Sequence, residues 1–132
     1  ILVVHAFSEG EGFPVLPQVF HITRVNNTGA AFGMLKGRGS VLIAVSVLCV
    51  GALIFYLSKN LFSRVPWLIR SAWLLILAGA LGNLYDRLRY GYVVDYLDFR
   101  IWPVFNIADA SICVGAALII FSYFKCAKIS SG

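Results

Sequence analysis

Residues 41–57 carry no charge over seventeen consecutive positions, and this run limits the fold more than any other feature. As a helix it spans about 26 Å at about 1.5 Å per residue, close to the ~30 Å thickness of a bilayer's hydrocarbon core. Two further apolar segments follow. Residues 66–85 open on Pro66, suited to a helix's first turn, and carry Arg70 near that end. Residues 109–124 open on Asp109, followed by fifteen uncharged positions. The long Arg70 side chain can snorkel to an interface; the short Asp109 side chain cannot. Composition agrees, with 60% hydrophobic and only 13% charged residues in a chain of 132, too little polar surface for a soluble domain of this size. The expected architecture is an all-α polytopic membrane protein, a helical bundle in one domain over 1–132, with spans near 41–57, 66–85 and 109–124.

The net charge of +5 is dispersed along the chain. Without a dense basic patch it points to loops and anionic lipid rather than nucleic acid. Lys59, Arg64 and Arg70 flank the first connection, and Lys125 and Lys128 follow the last span. The positive-inside rule places those ends in the cytoplasm. The region before residue 41 and the 86–108 loop then lie outside, although Arg24, Lys36, Arg38, Arg87, Arg89 and Arg100 also fall there. Cys49, Cys113 and Cys126 are odd in number and form no CxxC pattern, so they read as small packing residues. His5 and His21 have no partners at metal-ligand spacing and read as structural.

The outer segments do not look helical. Residues 15–17 and 18–25 read as extended chain, the latter alternating apolar and polar positions. Asn26-Asn27-Thr28-Gly29 is a turn signal. Residues 92–99 form a second extended piece, so a small extracytoplasmic β-sheet cradle is expected on the outer membrane face. Ala78, Gly79, Ala80 and Gly82 in one span, and Gly115, Ala116 and Ala117 in the next, permit close helix approach.

Four of the six acids lie between positions 86 and 109. Ionisable groups at membrane depth are costly and usually functional. Asp95 follows Val93-Val94 in the extended piece, and Asp109 opens the last span, with Pro103 between them to prevent a continuous helix. A hairpin-like return brings such carboxylates together, and two close carboxylates share a proton, as aspartic peptidases require. The competing reading makes Asp109 a helix N-cap and Asp95 a loop carboxylate paired with Arg87 or Arg89. Asp86-Arg87 is either a solvated interfacial pair or an acid fixing a guanidinium that holds a substrate oxygen. Asn27, Asn83 and Asn106 either orient amides or cap turns.

Four motifs occur in order: Asn27-Thr28-Gly29-Ala30-Ala31-Phe32-Gly33, Gly82-Asn83-x-x-Asp86-Arg87, Val93-Val94-Asp95-Tyr96 and Phe105-Asn106-x-Ala108-Asp109. Together they resemble bacterial lipoprotein signal peptidase (signal peptidase II), over nearly the whole chain. The resemblance implies a multi-pass inner-membrane aspartyl endopeptidase with an extracytoplasmic active site. Such enzymes remove signal peptides from diacylglyceryl-modified prolipoproteins, cutting before the lipidated cysteine, with two aspartates and neither metal nor cofactor. It assigns Asp95 and Asp109 as catalytic, leaving open which is base and which acid. Asn27, Asn83, Asp86, Arg87 and Asn106 fall on supporting positions around substrate and dyad. The implied partners are the prolipoprotein substrate, membrane lipids and cyclic-peptide inhibitors such as globomycin, with a monomer expected. The family's first transmembrane helix has no counterpart before Ile1, so the domain is expected to be N-terminally incomplete. The link 98–103 between the acids is also compact. A rival class is a non-catalytic membrane protein using the same acids as ion-pair glue. An unrelated intramembrane aspartyl protease lacks support, because its Gly-x-Gly-Asp signature is missing.

Overall fold

The computed structural model describes residues 2–29, 38–60 and 65–130. Motif residues 30–33 and the cations Lys36 and Arg64 lie outside these, as do the side chains of Cys126 and Lys128. In chain order the elements are α1 (Leu2–Ala6), β1 (Gly12–Leu16), β2 (Phe20–Asn27), α2 (Gly39–Asn60), α3 (Trp67–Tyr90), β3 (Val93–Asp98) and α4 (Ile107–Ser130).

Helices α2, α3 and α4 contain spans with mean hydropathy of 2.6, 1.4 and 1.9, each long enough to cross a bilayer. None divides into an apolar and a polar face; large apolar side chains such as Leu48, Phe55, Leu88 and Phe121 point outward. Helices apolar all round suit lipid rather than water. Each helix outruns the span expected from sequence. In particular, α3 continues past Tyr85 to Tyr90, so Asp86 and Arg87 are helical rather than in a loop. Gly91, in the left-handed region at φ 80°, stops α3 with its N–H donating to Arg87 O.

Helices α3 and α4 form the tightest pair, with α2 packed on α3. The approach depends on missing side chains. A Cβ on Gly115 would stand 2.6 Å from Ala72 O, and one on Gly79 would collide with Ala108 O. Close backbone approach through small residues is how helices associate in lipid, where burial of apolar area gives little net drive.

Three antiparallel strands in the order β1-β2-β3 make the small sheet. Three expectations need correction here. Leu2–Ala6 is a short helix, although the outer segments were expected to be non-helical; it is held by Arg24, whose Nη1 donates to Val4 O and Phe7 O at 3.2 and 2.8 Å. Residues 17–19 form the turn between β1 and β2, with Gln18 at φ 64°. Asn26 and Asn27, expected in a turn, end β2 instead, because they pair with Val94 and Val93.

Candidate active site

Antiparallel pairing sets Val25 beside Asp95 and Asn27 beside Val93, bringing the end of β2 against the start of β3. After Asp98 the chain turns back. Leu97 and Phe105 form an isolated antiparallel bridge, with Leu97 N donating to Phe105 O at 2.7 Å and Phe105 N to Leu97 O at 3.2 Å. This is the return that the sequence suggested, and it delivers the chain directly into α4.

Asn106 precedes α4 and caps it. Its Oδ1 accepts from Asp109 N at 3.0 Å, and Asp109 Oδ2 accepts from Asn106 N at 3.3 Å. These reciprocal bonds form a capping box, which satisfies two helix-end donors at once. Asp109 is therefore the third residue of the helix, and Asn106 is the cap. The Asn106 amide also donates twice, to Asp95 Oδ1 at 2.8 Å and to Asn83 Oδ1 at 3.1 Å. With both N–H bonds committed and only 4% of its surface exposed, this side chain has one workable orientation.

The network closes through two more asparagines. Asn83, on α3, donates to Asp109 Oδ1 at 2.8 Å. Asn27 donates to Asp95 Oδ2 at 2.9 Å while its own Oδ1 accepts from Gly29 N, so its amide is turned towards the acid. Asp95 thus receives two neutral amide donors at 3% exposure, and no loop pairing with Arg87 or Arg89 forms. Burial raises its pKa to about 6, assisted by the Asp109 charge; the Asn27 and Asn106 hydrogen bonds and the Arg87 charge only partly oppose this. A carboxyl with that pKa can hold or release a proton near neutrality.

Asp86 does not fix Arg87. Adjacent helical residues point in different directions, and Asp86 Oδ2 instead accepts from Val94 N at 3.0 Å, tying α3 to β3 next to Asp95. Arg87 reaches Ser46 Oγ on α2 and Gly29 O, both at 3.4 Å. Its charge also favours the ionised form of Asp95. Among the described residues the one ion pair within 4.0 Å is Arg100 Nη1 to Asp98 Oδ2, at 3.0 Å.

All seven residues singled out from sequence therefore gather where β2, β3 and the ends of α3 and α4 meet. Sequence reasoning missed Ser46, the Gly29 carbonyl and the Thr23–Asp98 hydrogen bond at 3.0 Å. A serine inside an apolar run and a carbonyl in a turn give no signal of their own. A groove of about 440 Å³ adjoins the network between α3, α4 and β3. Val94 and Tyr96 line it; strand alternation puts Asp95 on the other face. Asn83 and Asn106 line the groove as well as binding the acids.

Comparison with known proteins gives one consistent result. A family model described as signal peptidase (SPase) II matches residues 1–125. A lipoprotein signal peptidase of Halothermothrix orenii is 47% identical over 129 residues, covering 98% of this chain and 87% of that protein. One from Desulfitobacterium hafniense is 49% identical over 121 residues, covering 91% and 79%. A solved bacterial membrane enzyme structure superposes with a TM-score of 0.83 at 34% identity, over 94% of this chain and 77% of that one. A second does so at 0.81 and the same identity. With the spanning helices, the sheet and the matched family in agreement, the chain is a multi-pass membrane protein that belongs to the signal peptidase II family.

Proposed function

We propose that this chain is an aspartyl endopeptidase that removes signal peptides from diacylglyceryl-modified prolipoproteins, cutting before the lipidated cysteine, with Asp95 and Asp109 as its catalytic pair. The relatives' shared name, lipoprotein signal peptidase, supports the substrate class. One observation carries the catalytic assignment: Asn106 binds both acids, Asp95 through its amide and Asp109 through its backbone N–H and side-chain oxygen. Ion-pair glue would set cations against these carboxylates; neutral amides hold them instead.

In this reading the pair carries one proton. The unprotonated carboxylate takes a proton from water as its oxygen attacks the scissile carbonyl carbon. The protonated partner then gives its proton to the amide nitrogen as the C–N bond breaks. The pair ends with one proton again, and the net reaction is hydrolysis. Either acid can fill either role on this geometry. Asn27 and Arg87 position the peptide, Asn83 and Asn106 hold the acids, and Asp86 fixes the strand bearing Asp95.

Lys59, Arg70 and Lys125 lie at the helix ends away from the acids. We place the site on the extracytoplasmic face of the cell's inner membrane, as the resemblance implies. The cations at the far helix ends follow the positive-inside rule, while Arg24, Arg38, Arg87, Arg89 and Arg100 lie on the site's side. We take the working unit to be one peptidase domain acting as a monomer, with cyclic peptides such as globomycin competing for the site. The test is cleavage in reconstituted bilayers of a diacylglyceryl prolipoprotein and of a Cys→Ser precursor that cannot be lipidated. The lipidated protein alone should be cut, releasing a peptide that ends one residue before the cysteine. Equal cutting of both would refute the substrate assignment.

A further inference from the structure

One end of the sheet carries an apolar surface that neither the acids nor the helix packing uses. Because β2 begins where β3 ends, with His21 beside Asp98, the 17–19 turn and the 99–102 loop lie side by side. Leu16 and Val19 project from the first, and Phe99, Ile101 and Trp102 from the second; Ile101 is 93% and Trp102 62% exposed. Both tips contain a non-glycine residue in the left-handed region, Gln18 at φ 64° and Arg100 at φ 65°.

The second tip is built rather than slack. Ile101 N donates to Phe99 O at 2.8 Å across Arg100, a tight three-residue turn at positive φ that is rare and strained. Asp98 holds it by accepting from Arg100 N at 2.9 Å and Arg100 Nη1 at 3.0 Å. The Phe99 ring stacks on Phe105 and contacts Phe20, at 5.9 and 4.9 Å between centroids, and the Leu97–Phe105 bridge closes the base. This framework holds isoleucine and tryptophan outward, against the usual tendency to bury them.

We infer that this paired tip inserts into the interfacial layer of the phospholipid bilayer and sets the depth at which Asp95 sits. Trp102 lies five positions before Ile107, where the span in α4 begins, and five residues reach no further than about 18 Å. Lipid therefore surrounds the adjoining helix within reach of the tip. Tryptophan favours the headgroup level, and the half-exposed Arg100 guanidinium beside it complements lipid phosphate. The inference rests on the membrane placement of the helices and not on the chemistry at the acids, so either can fail without the other.

The test is fluorescence quenching of the full chain in phosphatidylethanolamine–phosphatidylglycerol vesicles doped with lipids brominated near the headgroup or deep in the acyl chain. Trp102 is isolated by Trp67→Phe with Trp73→Phe, and independently by subtracting the Trp102→Phe spectrum from that of the unaltered chain. Shallow bromines should quench Trp102 at least about two-fold, more than deep ones, and aqueous iodide should reach it poorly. Free iodide access with no bromolipid quenching overturns the inference. So does a Trp102 signal that changes only when lipidated peptide is added, which would make the tip a substrate contact. Ile101→Asp with Trp102→Asp should raise KM for vesicle-embedded precursor several-fold with kcat unchanged; an unaltered KM would exclude the depth-setting role.

Discussion

Strand β3 holds two buried aspartates, three residues apart, that have opposite environments. Asp98 is 5% exposed and Asp95 3%, so burial pushes both carboxyls towards the protonated form. At Asp98 the Arg100 N–H, the Thr23 hydroxyl and the Arg100 guanidinium outweigh burial and hold the pKa below its ordinary value. At Asp95 the donors are two neutral amides, a like charge stands nearby, and the pKa rises to about 6. Depth alone therefore does not set an acid's charge state. A carboxylate paired at close range with a guanidinium is held as an anion, whereas one that accepts amide hydrogen bonds beside another acid, with a cation acting only from a distance, has its pKa raised by burial.

That contrast gives its largest expected effect when either acid of the pair is replaced. Asp95→Asn or Asp109→Asn should lower kcat by at least about 10³-fold, the scale of losing a general acid–base group, while the helical circular dichroism spectrum persists. Next comes Asn106→Ala, which removes the cap of α4 and a donor to Asp95 together. It should cost about 1–2 kcal/mol of thermal stability and about 10²-fold in kcat/KM. Asp98→Asn should reverse the pattern, with activity within a few-fold of normal and stability lower by about 1–3 kcal/mol from lost charge-assisted hydrogen bonds. Arg100 is half exposed, so its ion pair supplies little of that. The Asp98 pKa is depressed, so its contribution is present above the ordinary carboxylate range and disappears as pH falls through the folded value. Melting curves of parent and variant should therefore converge in acid.

The smallest effect concerns pH. Asp95 is protonated more readily in the folded chain, so its ionisation weakens the fold as pH climbs from about 4 to 6. If one shared proton is required, kcat/KM should bend downward as pH rises through about 6. Asn27→Ala removes a hydrogen bond that favours the anion and should move the bend to higher pH. A bend that stays in place would separate Asn27 from the titrating acid.

Much of this arrangement was legible in the chain itself. Long uncharged runs suit membrane spans, so the three helices followed from hydropathy, and clustered acids in an apolar protein pointed to the candidate site. The return that joins Asp95 to Asp109 was expected, but the contacts that make it were not legible: the Leu97–Phe105 bridge and asparagine amides whose directions are set by partners distant in sequence. The helical state of Asp86 and Arg87 was hidden for a related reason: their charge ends a hydropathy window without ending a helix. Asp98 and Asp95 differ in sequence only by neighbours, and the partners that separate them, Thr23 and Asn27, come from another strand.

The most direct measurement is a double-mutant cycle on cleavage of a diacylglyceryl prolipoprotein, using Asp95→Asn, Asp109→Asn and the two combined. Groups that act as one unit are grossly non-additive. The combined variant should therefore be no slower than either single variant, with all three folded. Losses that multiply, or normal cleavage by either single variant, would contradict a shared-proton pair.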